Sequence, residues 1–219
     1  MNSRVILGIV FAMTGVMFLI GAWYYFGDNK PSLRSLPYYN PIHEGVRSQT
    51  APGDNHKVKD FKLLDQTGDT VTRKDFANTI NVVDFFFTTC RGICPKMTSQ
   101  MGRVYEKYKG NKEIKFLSHT VNPENDSVAV MAAFAKEHNI DNSQWYLLTG
   151  DKPQLYDLAR TSYLISDTKG DGGKEDFVHS QNFTLVDKNG FIRGIYNGID
   201  SADVDRLMIE IDILLKEKK

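Results

Sequence analysis

Hydrophobic and polar positions divide the chain into three regimes. From Val5 to Phe26 (VILGIVFAMTGVMFLIGAWYYF) no charged residue interrupts an apolar run, and a helix of that length crosses the roughly 30 Å of bilayer hydrocarbon. The run closes on Trp23, Tyr24 and Tyr25, amphipathic aromatics that settle at the headgroup level. From residue 27 to 57 the periodicity disappears, and Pro31, Pro37, Pro41 and Pro52 are scattered among Asn, Ser and Gly. Such a stretch is extended and semi-stiff, and it reads as a tether. From residue 58 to 219 the strand period of two and the helix period of 3.6 alternate.

Within that last regime, FKLLDQTGDTVTRKDF (61–76) predicts a hairpin turning near Thr67, Gly68 and Asp69, and NVVDFFF (81–87) predicts a strand buried on both faces. A helix is expected from Pro95 to Tyr108, because proline suits a first helical position. IKFLSHTV then reads as a strand, DSVAVMAAFAKEH as a helix capped by Asp126 or Ser127, WYLLT as a strand and PQLYDLARTSYL as a helix. A glycine-rich acidic loop (166–176) precedes two strands, NFTLVD and FIRGIY, joined by Lys188-Asn189-Gly190. The amphipathic helix SADVDRLMIEIDILLKE closes the chain. Strands alternating with helices, followed by a hairpin and a last helix, imply an α/β domain with a mixed sheet of thioredoxin-like order. The expected organisation is a short tail (1–4), a transmembrane helix (5–26), a linker (27–57) and a thioredoxin-like domain (58–219).

Composition narrows the function. Lys plus Arg total 27 and so do Asp plus Glu, so no net field draws the chain to nucleic acid. A cleavable secretory signal has a shorter apolar region ending in small residues, and neither feature is present here. The charges flanking the apolar run (Arg4 before, Asp28, Lys30 and Arg34 after) do not set its orientation. A short head with a large domain behind it favours export of that domain, and the absence of an Arg-rich amphipathic leader favours a bacterial envelope over an organelle. The expected location is the bacterial inner membrane, single-pass, with the domain facing the periplasm or exterior.

The chemistry concentrates in FFFTTCRGICPKM, which holds both cysteines, Cys90 and Cys94. They follow the carboxyl end of the buried strand, the edge where open α/β sheets place ligands. Cys94 opens the next helix, whose amino terminus favours a thiolate, so Cys94 is expected to lose its proton more readily than a free thiol. A disulfide would close too small a loop to gain more than about 2 kcal/mol. A metal would need a third donor, and histidine is the obvious type. His43 and His56 lie in the tether, His119 at a strand edge and His138 near a helix end. His179 ends the flexible loop just before a strand expected to be central, so the loop could carry it across the cysteine turn.

Taken together, the amino-terminal anchor, Cys90-Arg-Gly-Ile-Cys94-Pro95, VNPENDS (121–127), His179 and YNGIDSADV resemble the Sco/SenC proteins, membrane-tethered thioredoxin-like copper chaperones of cytochrome c oxidase assembly. The resemblance covers about residues 55 to 217. It implies copper ligation by Cys90, Cys94 and His179, and delivery to the copper-bearing subunit of the oxidase, with other copper carriers or thiol reductants as further partners. Two departures stand out: Asn122 replaces an aspartate usual in the family's DPxxD segment, and Arg91-Gly92 replaces the common Pro-Asp. Two thiolates and an imidazole suit Cu(I) and, with a weak further ligand, Cu(II); zinc could take the same set plus water. A second reading, thiol-disulfide exchange on envelope proteins, draws on the likeness of VDFFFTTC to a thioredoxin strand with Asp84 six residues before the first cysteine. The CxxxC spacing and the absence of a proline before residues 182–187 count against it.

Overall fold

A computed structural model describes residues 13–17, 35–41, 47–50, 56–165 and 180–217. The chain divides into two compact units, residues 1–35 and 36–219. In the first, residues 13–17 are helical (α1), and the rest of the apolar run 5–26 lies outside the described residues. Among the described residues no helix is long and apolar enough to cross a membrane.

The second unit is built on a five-stranded mixed sheet of order β7-β6-β5-β8-β9. Its parallel half comprises β5 (Ile80–Phe86), β6 (Ile114–Thr120) and β7 (Trp145–Leu148). Next to β5 runs β8 (Asn182–Val186), antiparallel to both β5 and β9 (Ile192–Asn197). This is the thioredoxin-like α/β arrangement expected from the alternation of patterns. The predicted hairpin is present as β3 (Lys62–Leu64) and β4 (Thr70–Thr72). Gly68 and Gly190 adopt φ of 88° and 86° in the two hairpin turns, a region that side chains resist.

The sheet is covered on both faces. On one, Ile80, Val82 and Phe86 of β5 meet α2 (Cys94–Tyr108) and α5 (Ser201–Lys216). Met97, Met101, Val104, Tyr105 and Tyr108 lie on one side of α2 and are all buried, and each fully buried residue of this size adds about 1.5–3 kcal/mol of transfer free energy. α3 (Val128–Glu137) adds Met131 and Ala135 to the same core. On the other face, Val83, Phe85 and Leu117 pack with Leu63 of the hairpin, Phe76 of the following 3₁₀ turn, and Leu155 of α4 (Lys152–Asp157). The helix expected over PQLYDLARTSYL is divided, since α4 gives way to a π turn at Leu158–Ser162.

The segment read as a tether is structured near its domain end. Tyr38–Pro41 (β1) and Arg47–Thr50 (β2) pair antiparallel, and Leu36 is buried. The physical cause is non-local. Arg193 of β9, itself buried, donates to the carbonyls of Leu36 (2.7 Å) and Pro37 (3.2 Å) and stacks on the Tyr38 ring at 4.2 Å. Two carboxylates, Asp187 at 3.0 Å and Glu217 at 2.9 Å, neutralise it. His56, also in the presumed tether, hydrogen-bonds the carbonyl of Ser162 at 2.8 Å through Nε2.

Candidate metal centre

β5 delivers the chain to the cysteine turn. After Phe86 the backbone leaves the sheet, and the N–H of Cys90 donates to the carbonyl of Phe87 at 3.2 Å. The turn through Arg91, Gly92 and Ile93 is exposed, and α2 begins at Cys94 with Pro95 in its first turn. Ile93, the residue before the helix, has no side chain able to cap it, so the first amides of α2 need another acceptor. The sulfur of Cys90 accepts from one of them, the N–H of Cys94, and from the N–H groups of Gly92 and Ile93 just before the helix.

That arrangement sets the two thiols apart. Burial pushes the Cys90 thiol up, but hydrogen bonds from the Cys94 side chain and from the backbone N–H groups of Cys94, Gly92 and Ile93 outweigh it and hold it below the ordinary range. Cys94 is pushed up to about 12, first by burial, then by donating its proton to Cys90, with the negative charge of Asp84 adding to the effect. The expectation that Cys94 ionises more readily than a free thiol is therefore corrected. Cys94 sits in the core at 6% exposure, whereas the amides of the turn and of the first helical residue point at the sulfur of the partly exposed Cys90. Both cysteines are free thiols.

Asp84 shares the face of β5 that looks toward α2, being two residues from Val82 and from Phe86. It is 3% exposed, one carboxylate oxygen has no hydrogen-bond partner among the described residues, and burial pushes its carboxyl up to about 7 against the hydrogen bond from Ser118. Ser118 stands opposite it in the β5–β6 register and is itself held by the indole N–H of Trp145 at 3.0 Å.

The histidines separate clearly. His119 is in β6, an interior strand and not an edge, on the face away from the cysteines and wholly buried. His138 ends α3 and packs on Phe134 with ring centroids 4.2 Å apart. His43 and His179 lie outside the described residues. Among the described residues no three His, Cys, Asp or Glu side chains converge in a way that could hold a metal ion. The structure thus brings Cys90 and Cys94 together, and a third donor has to come from elsewhere.

One residue of the site reads in the sequence as a candidate cap of α3 and as the end of the DPxxD-like segment, with no role assigned to it at the cysteines. Ser127 caps α3, accepting from the N–H of Val130, while Asp126 is fully buried and turned toward the cysteine turn. The signal available in the sequence was a second acidic residue beside an adequate capping serine.

Comparison with known proteins places this architecture. The SCO1/SenC family pattern matches residues 49–212. The SCO1 protein homolog of Bacillus subtilis (strain 168) is 28% identical over 159 residues, which make up 72% of this chain and 82% of that one. Among solved structures, BsSco, described as a member of the Sco family of cytochrome c oxidase assembly proteins with a disulfide switch, superimposes with a TM-score of 0.64 at 29% identity, covering 78% of this chain and all of the other. ScoI of Bradyrhizobium japonicum with copper bound shares the fold, with a TM-score of 0.54 at 23% identity over 68% of this chain and 98% of its own.

Proposed function

This chain belongs to the SCO1/SenC family, and from that premise we propose that it binds copper through Cys90, Cys94 and His179 and delivers it to the copper-bearing subunit of cytochrome c oxidase during assembly. The observation that carries the reading is the pairing of two free thiols at the carboxyl end of β5, with the Cys90 sulfur accepting from the Cys94 thiol and from the amides of Gly92, Ile93 and Cys94, which lower its pKa. Two sulfurs and one imidazole are the donors that Cu(I) prefers, and they also serve Cu(II) with a weak extra ligand. Relatives and neighbours of the fold include proteins named for oxidase assembly and one solved with copper bound.

Topology supports His179 as the third donor. Val83 of β5 pairs with Thr184 of β8, and the strands run antiparallel, so the start of β8 at Asn182 lies toward the end of β5 from which the cysteine turn departs. His179 precedes that start by three positions in the sequence, so the chain could span up to about 10 Å between them. A site with few ligands also suits a carrier, because the ion must leave by ligand exchange with its acceptor. The apolar run 5–26 would anchor the chain in the bacterial inner membrane, with the domain on the periplasmic or exterior side.

The test is to load the full chain with Cu(I) and with Cu(II), and to record spectra for the parent and for Cys90→Ala, Cys94→Ala and His179→Ala. One copper per chain is expected, with sulfur-to-copper charge-transfer bands in the Cu(II) form and loss or change of those bands in each variant. A second reading, thiol-disulfide exchange with envelope proteins, is favoured by one observation: Asp84, buried beside Cys94 with its carboxyl near neutrality, is placed to take up and return a thiol proton. If His179→Ala binds copper with the parent spectrum while the protein reduces insulin disulfides briskly, that reading replaces the copper one.

A further inference from the structure

Asp126 is 0% exposed, and among the described residues no cation pairs with it. A carboxylate in that position is costly unless hydrogen bonds satisfy it. Here the donors are specific. The backbone N–H of Thr88 lies 3.3 Å from each carboxylate oxygen, and the hydroxyls of Thr88 and Thr120 each donate to one of them. The N–H of Asp126 donates to the carbonyl of Asn122 at 2.9 Å, and its carbonyl accepts from the hydroxyl of Thr149 at 2.9 Å. Thr88 follows β5, Thr120 ends β6 and Thr149 follows β7. One residue therefore gathers the carboxyl ends of all three parallel strands, and the first of them leads into Cys90 two positions later.

We infer that Asp126 is a positioning residue for the thiol pair, acting through Thr88. The same turn is also held by the Cys90 N–H bond to Phe87, by a backbone hydrogen bond between Phe87 and the Cys94 sulfur, and by the bond from the N–H of Val121 to the carbonyl of Phe86 at 2.9 Å. Only the Asp126 contact, however, ties Thr88 to the ends of the other two parallel strands. Capping of α3 does not require Asp126, since Ser127 does that. Its two carboxylate oxygens are spent on Thr88 and Thr120, and a carboxylate binds a neutral hydroxyl more strongly than a neutral acceptor does. With Thr88 fixed, the sulfur of Cys90 stays over the amides at the start of α2 and within hydrogen-bond reach of Cys94. Without it, the turn gains backbone freedom and the effective concentration of one sulfur at the other falls.

The inference deepens the copper reading and rests on it for one readout only. In the full chain, Asp126→Asn, Thr88→Val and Thr88→Ser are compared with the parent and with Ile192→Ala, a core change in β9 that serves as a control for lost stability. The metal-free readout is the equilibrium between the reduced pair plus oxidised dithiothreitol and the Cys90–Cys94 disulfide plus reduced dithiothreitol, a two-electron exchange that balances as written. Asp126→Asn and Thr88→Val are expected to lower the constant for disulfide formation at least tenfold, Thr88→Ser to restore it, and Ile192→Ala to leave it within twofold of the parent. The second readout is the Cu(II) charge-transfer spectrum, which the first two variants should broaden or shift and the control should not. Should Asp126→Asn fail to fold, Thr88→Val and Thr88→Ser carry the comparison. Parent-like disulfide constants in both clamp variants, with only their melting temperatures lowered, would overturn the inference. Failure of the parent to bind copper would refute the copper reading while leaving the dithiothreitol arm to decide the role of Asp126.

Discussion

The imidazole of His119 stacks on Phe85 with ring centroids 4.9 Å apart and planes 14° from parallel, and among the described residues no side-chain hydrogen-bond partner meets either of its ring nitrogens. Phe61 and Tyr163 close the ring in, at 6.0 and 5.2 Å. A neutral imidazole must keep one N–H, and leaving a donor unpaired in the core costs about 1–3 kcal/mol.

His119→Leu is therefore expected to match or exceed the parent in stability at pH 7.5. Burial pulls the folded imidazole down to about 3 from its ordinary 6.5, so between those values the unfolded chain binds a proton that the folded one refuses. The parent consequently loses stability as pH falls below 6.5, by on the order of 1.4 kcal/mol per pH unit. Urea titrations at pH 7.5, 5.5 and 4.5 should show the advantage of the leucine variant widening with acidity; a constant gap would contradict the burial argument.

Asp84 has the opposite sign. Its folded carboxyl titrates near 7 and its unfolded one near 3.8, so the folded form holds the proton more tightly, and the associated stability, complete below pH 3.8, is lost as pH rises through 7. Asp84→Asn removes this dependence. Its stability relative to the parent should climb between pH 4 and pH 7.5, by on the order of 1 kcal/mol per unit, and level off above that. The difference between variant and parent isolates Asp84 from His119, whose contribution is common to both.

The two thiols should react unequally. Timed alkylation with iodoacetamide at pH 7.5, followed by peptide mass analysis, is expected to modify Cys90 well before Cys94, because Cys90 is partly exposed and favoured as a thiolate while Cys94 is buried and pushed up to about 12. Faster labelling of Cys94 would mean that the helix amides act on the other sulfur.

Arg193→Met should be among the most damaging changes outside the site. Removing the guanidinium strands Asp187, which is 8% exposed, and releases the carbonyls of Leu36 and Pro37, and breaking a buried pair in this way costs about 3–5 kcal/mol. Glu217→Gln keeps the packing and leaves Asp187 in place, so a smaller loss is expected. Chemical denaturation of both variants measures the difference, and equal losses would show that the Glu217 pair carries the cluster.

Local pattern was enough for the element order, since each signal it used is short-range. The two-sided apolar run predicted β5, the proline after Cys94 marked the start of α2, and Gly68 and Gly190 marked the hairpin turns. The same local logic placed two sulfurs at the carboxyl end of a buried strand. It expected Cys94 to ionise more readily than a free thiol and did not single out Cys90, because which sulfur receives the backbone amides depends on how the turn folds back. It read the region around Tyr38 as free tether, because the residue that binds it, Arg193, is more than a hundred and fifty positions away.

The sequence by itself thus determined the α/β alternation, the spacing of the thiols and the apolar run at the amino terminus, all of which follow from residues within a few positions of one another. Only the tertiary structure decided that Asp84 faces Cys94, that His119 faces the opposite core, and that Asp126 reaches Thr88. Each of those depends on the face a strand presents once helices cover it and on contacts between segments distant in the chain, and a period of two or 3.6 carries no record of either.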